Sequence, residues 1–240
     1  MKLKLLDLFS GIGGFSLGLE QTKRIKTIAF VEKDKFCQKV LKKNFKNIPI
    51  EEDIRNVKGS NYAADIVSGG FPCQPFSVAG KRKGTDDDRY LWDETIRVVK
   101  ESKPRWFIGE NVEGIININN GLVLRQVQTD LEKEGFEVQC LIIPASGIGA
   151  WHQRKRVWII GCNVPNSNAI LREGGRTISP RTQCKKTWWQ TQSELCGIPN
   201  GVSYELDKDR TNRIKSLGNS IVPQIAYEIG KAIVESEENV

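Results

Sequence analysis

The chain reads as an α/β domain on a mostly parallel sheet, interrupted late by a region of different character. Three observations carry this reading. Short apolar runs alternate with amphipathic stretches along residues 2–161. The first run ends in a glycine-rich turn that leads straight into a helical pattern, as strand–turn–helix units of parallel sheets do. Past Asn163 the chain becomes polar and loses any period, until helical spacing returns at "LGNSIVPQIAYEIGKAIV".

"KLKLLDLF" (Lys2–Phe9) is a short apolar strand, and "FSLGLEQ" after its glycines has helical spacing. "TIAFVE" (Thr27–Glu32) is the second strand, followed by the amphipathic helix "KFCQKVLKKNF". "ADIVSGG" predicts a third strand running into a turn around Cys73. "RYLWDETIRVVKES" predicts a helix stopped near Pro104, since the residue before a proline disfavours helical backbone, and "RWFIGENV" is a fourth strand. "GLVLRQVQTDLEKEG" is a helix with a glycine at its end, and "FEVQCLIIPA" and "RVWIIG" are strands. The polar stretch that follows reads as an inserted variable region, closed by a C-terminal helix that packs back on the first domain. There is no internal repeat and no low-complexity tract.

A net charge of +7 and a pI near 9.1 suit a polyanionic partner, and equally a solvated basic surface. No apolar run approaches the roughly 20 residues of a membrane span, and the N-terminal apolar stretch is too short for a signal peptide. A cytoplasmic protein without a membrane partner is expected. The six cysteines include no C-x-x-C pair, and His152 is the one histidine. That argues against a disulfide framework and against a zinc site, so no metal is expected. Most of the cysteines read as small buried apolar residues.

Cys73 differs. In "SGGFPCQPFS" it stands between two prolines, at the carboxyl end of a strand, where this fold class keeps its ligands. A nearby cation or helix N-terminus there would favour thiolate. Glu110, in "GENV", ends the fourth strand, and Arg154 and Arg156 alternate at the start of a later one, so both are expected to face one side. A nucleophile, a carboxylic acid and guanidinium groups make a reactive constellation, but their spacing alone names no reaction. Gly11, Gly13 and Gly14 in "DLFSGIGGFSLGL" permit close backbone approach to a ligand, although many tight turns are glycine-rich. Glu32 ends the second strand, placed to accept from ribose hydroxyls, and Asp53 in "EEDI" could accept from an adenine amino group. Each acid alone fits a solvated loop end as well. Together the three positions read as a nucleoside cofactor site.

At these residues the chain resembles the DNA (cytosine-5-)-methyltransferases. The fragments "DLFSGIGGFSLGL", "VEKD", "DI", "GGFPCQPFS", "R..L..E", "ENV", "QRKRVWIIG" and "LGNSIVPQ" occur in the family's order along nearly the whole chain. The resemblance implies a Rossmann-like S-adenosylmethionine-dependent methyltransferase domain over residues 1–162. A small target-recognition region would span 163–213, and a C-terminal segment at 214–240 would pack back on the catalytic domain. It implies Cys73 as nucleophile, Glu110 as acid, and Arg154 and Arg156 as the paired arginines. Phe9, Gly11, Gly13, Gly14, Glu32, Asp53, Ile54, Pro72 and Asn219 fall at cofactor-binding positions. Gln74, Ser77, Lys81, Arg82, Lys83 and Arg89 fall at DNA-binding positions, in or beside a loop that closes over DNA in the family.

The partner so implied is double-stranded DNA with one cytosine flipped out, a task for which a monomer suffices. The resemblance implies a restriction-modification enzyme or a phage or orphan modification enzyme, and any cognate restriction endonuclease would act separately. Three departures stand out. His152 replaces a frequent glutamine, Lys33 replaces a frequent aromatic residue, and the family's ninth motif has no clear counterpart between Gly161 and Leu217. Trp188 and Trp189 in the insert fit either base contacts or the packing of a small subdomain. A tRNA cytosine-5 methyltransferase and an inactive nucleic-acid-binding relative stay open as alternatives.

Overall fold

Apolar residues that alternate along a strand must be covered on both faces of a sheet, and the chain does this with helices. The computed structural model describes residues 2–72, 91–163 and 210–238. Seven strands form one sheet: β1 (Leu3–Leu8), β2 (Ile25–Val31), β3 (Ile50–Glu51), β4 (Ile66–Gly69), β5 (Trp106–Val112), β6 (Glu137–Pro144) and β7 (Lys155–Cys162). Their order across the sheet is β3-β2-β1-β4-β5-β7-β6. The pairs from β3 to β5 are parallel, whereas β7 runs antiparallel to both β5 and β6.

Neighbouring residues of β1 show how the two faces divide. Leu6 and Leu8 join a core formed with Val67, Phe107, Val157 and Ile159. Helices α3 (Trp92–Ser102) and α4 (Leu122–Lys133) cover that core through Trp92, Val98, Val99, Val127 and Leu131. Leu5 points the other way, into a second core with Ile25, Ile66, Ile108 and Trp158. Helix α1 (Gly14–Glu20) and the C-terminal helix α6 (Pro223–Glu238) cover it through Phe15, Leu19, Ile225, Ala226, Ile229 and Ile233. Helix α2 (Lys35–Asn44) follows β2 and starts where Asp34 accepts from the amides of Phe36 and Cys37, a side-chain N-cap. Helix α3 ends at Ser102, with Lys103 left-handed at φ 48° just before Pro104.

Two expectations need correction. The strand expected third stands fourth in the chain, because Ile50–Glu51 adds an edge strand of two residues beside β2, too short to show a period. The helical run expected from Leu217 onward is two helices, α5 (Arg210–Asn219) and α6, separated at Ser220–Val222. Pro223 is the cause. Proline pushes the residue before it out of helical backbone and is itself well suited to the first helical position. No helix among the described residues is long and apolar enough to cross a membrane.

Helix α6 lies tight on α1, and Gly18 makes that contact possible. A Cβ there would stand 2.1 Å from the Pro223 carbonyl oxygen and 2.8 Å from the Ala226 Cβ. Gly18→Ala is therefore expected to pry the two helices apart, at a cost of about 1–3 kcal/mol. Thermal unfolding followed by circular dichroism should show a lowered midpoint. An unchanged midpoint would mean that the helices are not in this contact.

Candidate active site

Because β1 to β5 are parallel, the residues leaving them meet along one edge of the sheet. Antiparallel β7 begins at that same edge. The carboxyl edge thus gathers the Phe9–Gly13 turn, Glu32, Asp53, Gly70–Pro72 and Glu110, together with Arg154 and Arg156.

The glycine turn and Glu32 form one unit. Glu32 accepts from the Gly11 amide at 2.6 Å through Oε2 and from the Asp34 amide at 2.7 Å through Oε1. Burial pushes its carboxyl above the usual range, and those two amides, with that of Lys33, pull the other way. A carboxylate offers about four lone-pair positions, so three amides still leave acceptor capacity toward a ligand. Gly11 is left-handed at φ 55°, and a Cβ on it would meet nothing within 4 Å among the described residues. Gly13 is also left-handed, but its missing Cβ is filled by Phe45, 2.5 Å away, so it serves packing. Gly14 is likewise a packing glycine, backed by Ile221 and Ser220. Phe9 carries φ 51°, which is uncommon for a non-glycine residue and typical of functional turns. Asp53 caps the turn Ile54–Asn56 by accepting from the Arg55 amide, and it pairs with the Arg55 guanidinium at 3.3 Å. Ile54 is buried.

Beneath this turn lies a buried carboxyl group that the sequence reading passed over. Asp7 on β1 is fully buried and accepts from Ser16 at 2.8 Å and from Ser68 at 2.9 Å. It therefore joins the first turn of α1 to β4, the strand that leads to Cys73. Burial raises its pKa to about 7, against the opposing hydrogen bonds from Ser16 and Ser68. Its signal in the sequence was an acid alternating within an apolar strand.

On the other side Arg156 donates from Nε to Glu110 Oε1 at 3.0 Å, with both side chains largely buried. Burial pushes Glu110 above the usual carboxylate range, while the charges of Arg156 and Arg154 hold it back. Gly70 gives the carboxylate its room, for a Cβ there would stand 3.3 Å from Glu110 Oε2. Asn111, facing away from Glu110, donates to the Phe71 carbonyl at 2.9 Å, and Phe71 packs on Trp92 at 4.8 Å. This fixes the exit of β4 immediately before half-buried Pro72. Asn111 was legible only as part of a motif, and its role as an anchor was not.

Arg154 departs from expectation. It precedes β7, with backbone at φ 28°, so the pleat of the strand does not set its direction. Its Nη2 donates to the carbonyls of Gly218 and Ser220, each at 2.8 Å. Asn219, between those two residues, is exposed at the end of α5. Cys73, Gln74, Ser77, Lys81, Arg82, Lys83, Arg89, Trp188 and Trp189 lie outside the described residues. Among the described residues no group of three or more His, Cys, Asp or Glu could hold a metal ion.

Comparison with known proteins gives concordant findings. The profile of the C-5 cytosine-specific DNA methylase family matches residues 3–194. The type II methyltransferase M1.ScrFI of Lactococcus lactis subsp. cremoris is 39% identical over 162 residues, which cover 67% of this chain and 41% of the relative. M.Bsp6I of Bacillus sp. (strain RFL6) is 37% identical over 163 residues, covering 66% and 52% respectively. The chain thus spans about half the length, or less, of these curated relatives. A protein described as a DNA modification methyltransferase encoded within a prophage (E. coli) superposes with a TM-score of 0.58 at 26% identity, covering 68% of this chain and 47% of that one. A Spodoptera frugiperda DNMT2 variant gives a TM-score of 0.62 at 22% identity over 74% of this chain and 54% of its own, a likeness of fold. The α/β sheet is accordingly the Rossmann-like methyltransferase fold.

Asp7 sets a pH dependence whose sign follows from its raised pKa. Below about pH 4 folded and unfolded chains both hold the proton, and its contribution to stability is intact. As the pH rises to about 7 the unfolded chain releases the proton first, and the contribution is lost. Asp7→Asn keeps a polar partner for both serines without an ionisable group. Between about pH 5 and pH 8 its thermal midpoint should fall less than that of the wild type. Parallel curves for the two proteins would show that Asp7 does not titrate in this range.

Proposed function

The chain belongs to the C-5 cytosine-specific DNA methylase family, and on that premise we propose that it transfers a methyl group from S-adenosylmethionine to carbon 5 of a cytosine flipped out of duplex DNA, through a transient bond to Cys73. The observation that carries this is the buried Glu110–Arg156 pair, set against the exit of β4 that leads to Cys73.

Carbon 5 of cytosine is a poor nucleophile within the aromatic ring. Attack of the Cys73 thiolate on carbon 6 forms an S–C bond and moves an electron pair toward carbon 5. Negative charge then builds on ring nitrogen 3 and the 2-oxo group. Glu110, whose buried carboxyl holds its proton more tightly than usual, donates that proton to nitrogen 3. Arg156, bonded to Glu110, orients it and stabilises the developing oxygen charge. S-adenosylmethionine supplies the electrophilic methyl group when bound. Removal of the carbon 5 proton by a base then expels Cys73 as thiolate, and nitrogen 3 returns its proton to Glu110, which restores both the neutral ring and the acid. A base stacked in duplex DNA is out of reach of these groups, so it must be extruded.

The cofactor falls to the other end of the site. The open face over Gly11 and the spare lone pairs of Glu32 fit a ribose, and Phe9, Asp53 and Ile54 border the place for an adenine. Pro72 and Asn219 complete the set expected to hold it. Gln74, Ser77, Lys81, Arg82, Lys83 and Arg89 are proposed to meet DNA, the basic ones by contact with phosphates. Residues 163–213 are proposed to choose the target sequence, since base edges must be reached by side chains outside the catalytic sheet. The functional unit is proposed to be a monomer, with any cognate restriction endonuclease acting separately.

The decisive experiment follows tritium from labelled S-adenosylmethionine into duplex DNA and into tRNA. Label is expected in DNA, and Cys73→Ser is expected to abolish transfer while keeping a wild-type fold. Duplex DNA carrying 5-fluorocytosine should trap the wild type covalently, because fluorine cannot leave as a proton. Label in tRNA alone, or an adduct that persists in Cys73→Ser, would overturn the proposal. In an active chimera, exchange of residues 163–213 for those of a relative with known specificity should move the methylated motif, as bisulfite sequencing would report. Retention of the original motif would place target choice elsewhere.

A further inference from the structure

Arg154 connects two parts of the site that the chain keeps far apart in sequence. A single terminal nitrogen of its guanidinium bridges the Gly218 and Ser220 carbonyls at 2.8 Å each, on either side of Asn219. The same C-terminal crossing rests on the start of α1. A Cβ on Gly14 would stand 2.8 Å from Ile221 Cγ1 and 3.0 Å from Ser220 Oγ. The crossing is thus held between the guanidinium on one side and the helix that follows the Gly11–Gly13 turn on the other. Helix α5 adds a further contact, with Ser216 Oγ 3.4 Å from Cys37 Sγ on α2, the helix that follows Glu32. Arg154 reaches this position from a left-handed backbone, a conformation that costs energy and persists only where the surroundings impose it.

Resting on the methyltransferase reading above, we infer that Arg154 is a positioning residue for the cofactor pocket, clamping the Gly218–Ser220 backbone so that the C-terminal crossing stays closed over the glycine turn. Arg156 is then the arginine that serves the base through Glu110, and the two alternating arginines divide the site between them. The chemistry accounts for the residue type. One guanidinium nitrogen carries two hydrogens in a fixed plane and can serve two carbonyls at once, while its partner nitrogens keep the charge delocalised. A lysine would bring a point charge on a flexible stem, without that planar fork.

The test measures cofactor binding by titration calorimetry, with S-adenosylmethionine and the full chain in the absence of DNA. Arg154→Met is expected to bind about tenfold more weakly, the loss that follows from hydrogen bonds to a charged group. Arg156→Met is expected to keep wild-type cofactor affinity. Added guanidinium ion at millimolar concentration should restore part of the loss in Arg154→Met. In steady-state methylation of DNA by that variant, the KM for cofactor should rise more than kcat falls. Should Arg154→Met fail to fold by circular dichroism, Arg154→Lys decides the matter, and it too must bind cofactor more weakly than the wild type. Wild-type cofactor affinity in either folded Arg154 variant, with a fall confined to kcat on DNA, would overturn the inference and return Arg154 to the base, leaving the methyltransferase reading intact. Failure of the wild type to bind the cofactor at all would overturn both.

Discussion

The antiparallel seating of β7 between β5 and β6 is the constraint on which the reactive edge depends. In a fully parallel sheet, the start of a strand lies at the edge opposite the ligand site. Reversing one strand brings its first residues to the edge where β1 to β5 end, and Arg156 pairs in register with Val112, two residues beyond Glu110. The Glu110–Arg156 bond follows from that register, so the sheet hydrogen bonds themselves hold acid and guanidinium together. A site built on paired strands is stiffer than one built on loops.

Buried carboxyl groups are costly, and this edge contains three of them with different compensation. Among the described residues Asp7 is met by the hydroxyls of Ser16 and Ser68 and by the Ser16 amide, Glu32 by backbone amides, and Glu110 by an arginine. All three are pushed up by burial. Their consequences differ with position. Asp7 ties α1 to β4 below the surface, Glu32 shapes the glycine turn, and Glu110 is held by Arg156 from the start of β7. Environment rather than residue type separates a structural acid from a reactive one.

The glycines divide in the same way. Gly13, Gly14 and Gly18 are filled by neighbours that a side chain would displace, so they bring α1 against α2 and the C-terminal segment. Gly11 alone of the turn glycines meets no neighbour among the described residues while holding a left-handed backbone. The others mark close packing, where a side chain would collide with its neighbours. Closure of the C-terminal segment on α1 also explains why Arg154 finds carbonyl partners there: those backbone groups leave α5 without helical partners, and a half-buried guanidinium satisfies them.

By itself the sequence determined the alternation of strands and helices, the end of α3 before Pro104 and the gathering of Glu32, Asp53 and Glu110 at strand ends. Each is a local property, set by apolar period, proline sterics or position after a strand. Family membership was equally legible, because the ordered motifs are contiguous stretches of chain. The two-residue strand Ile50–Glu51 could not be read, since its pairing comes from β2 rather than from its own pattern. Nor could the break at Ser220–Val222, where apolar spacing continues across a proline that resets the backbone. Only the tertiary structure decided that Arg154 and Arg156 diverge. Two-residue alternation holds within a strand, and Arg154 lies one residue outside it, where a left-handed turn and carbonyls more than sixty positions away in the chain govern its direction.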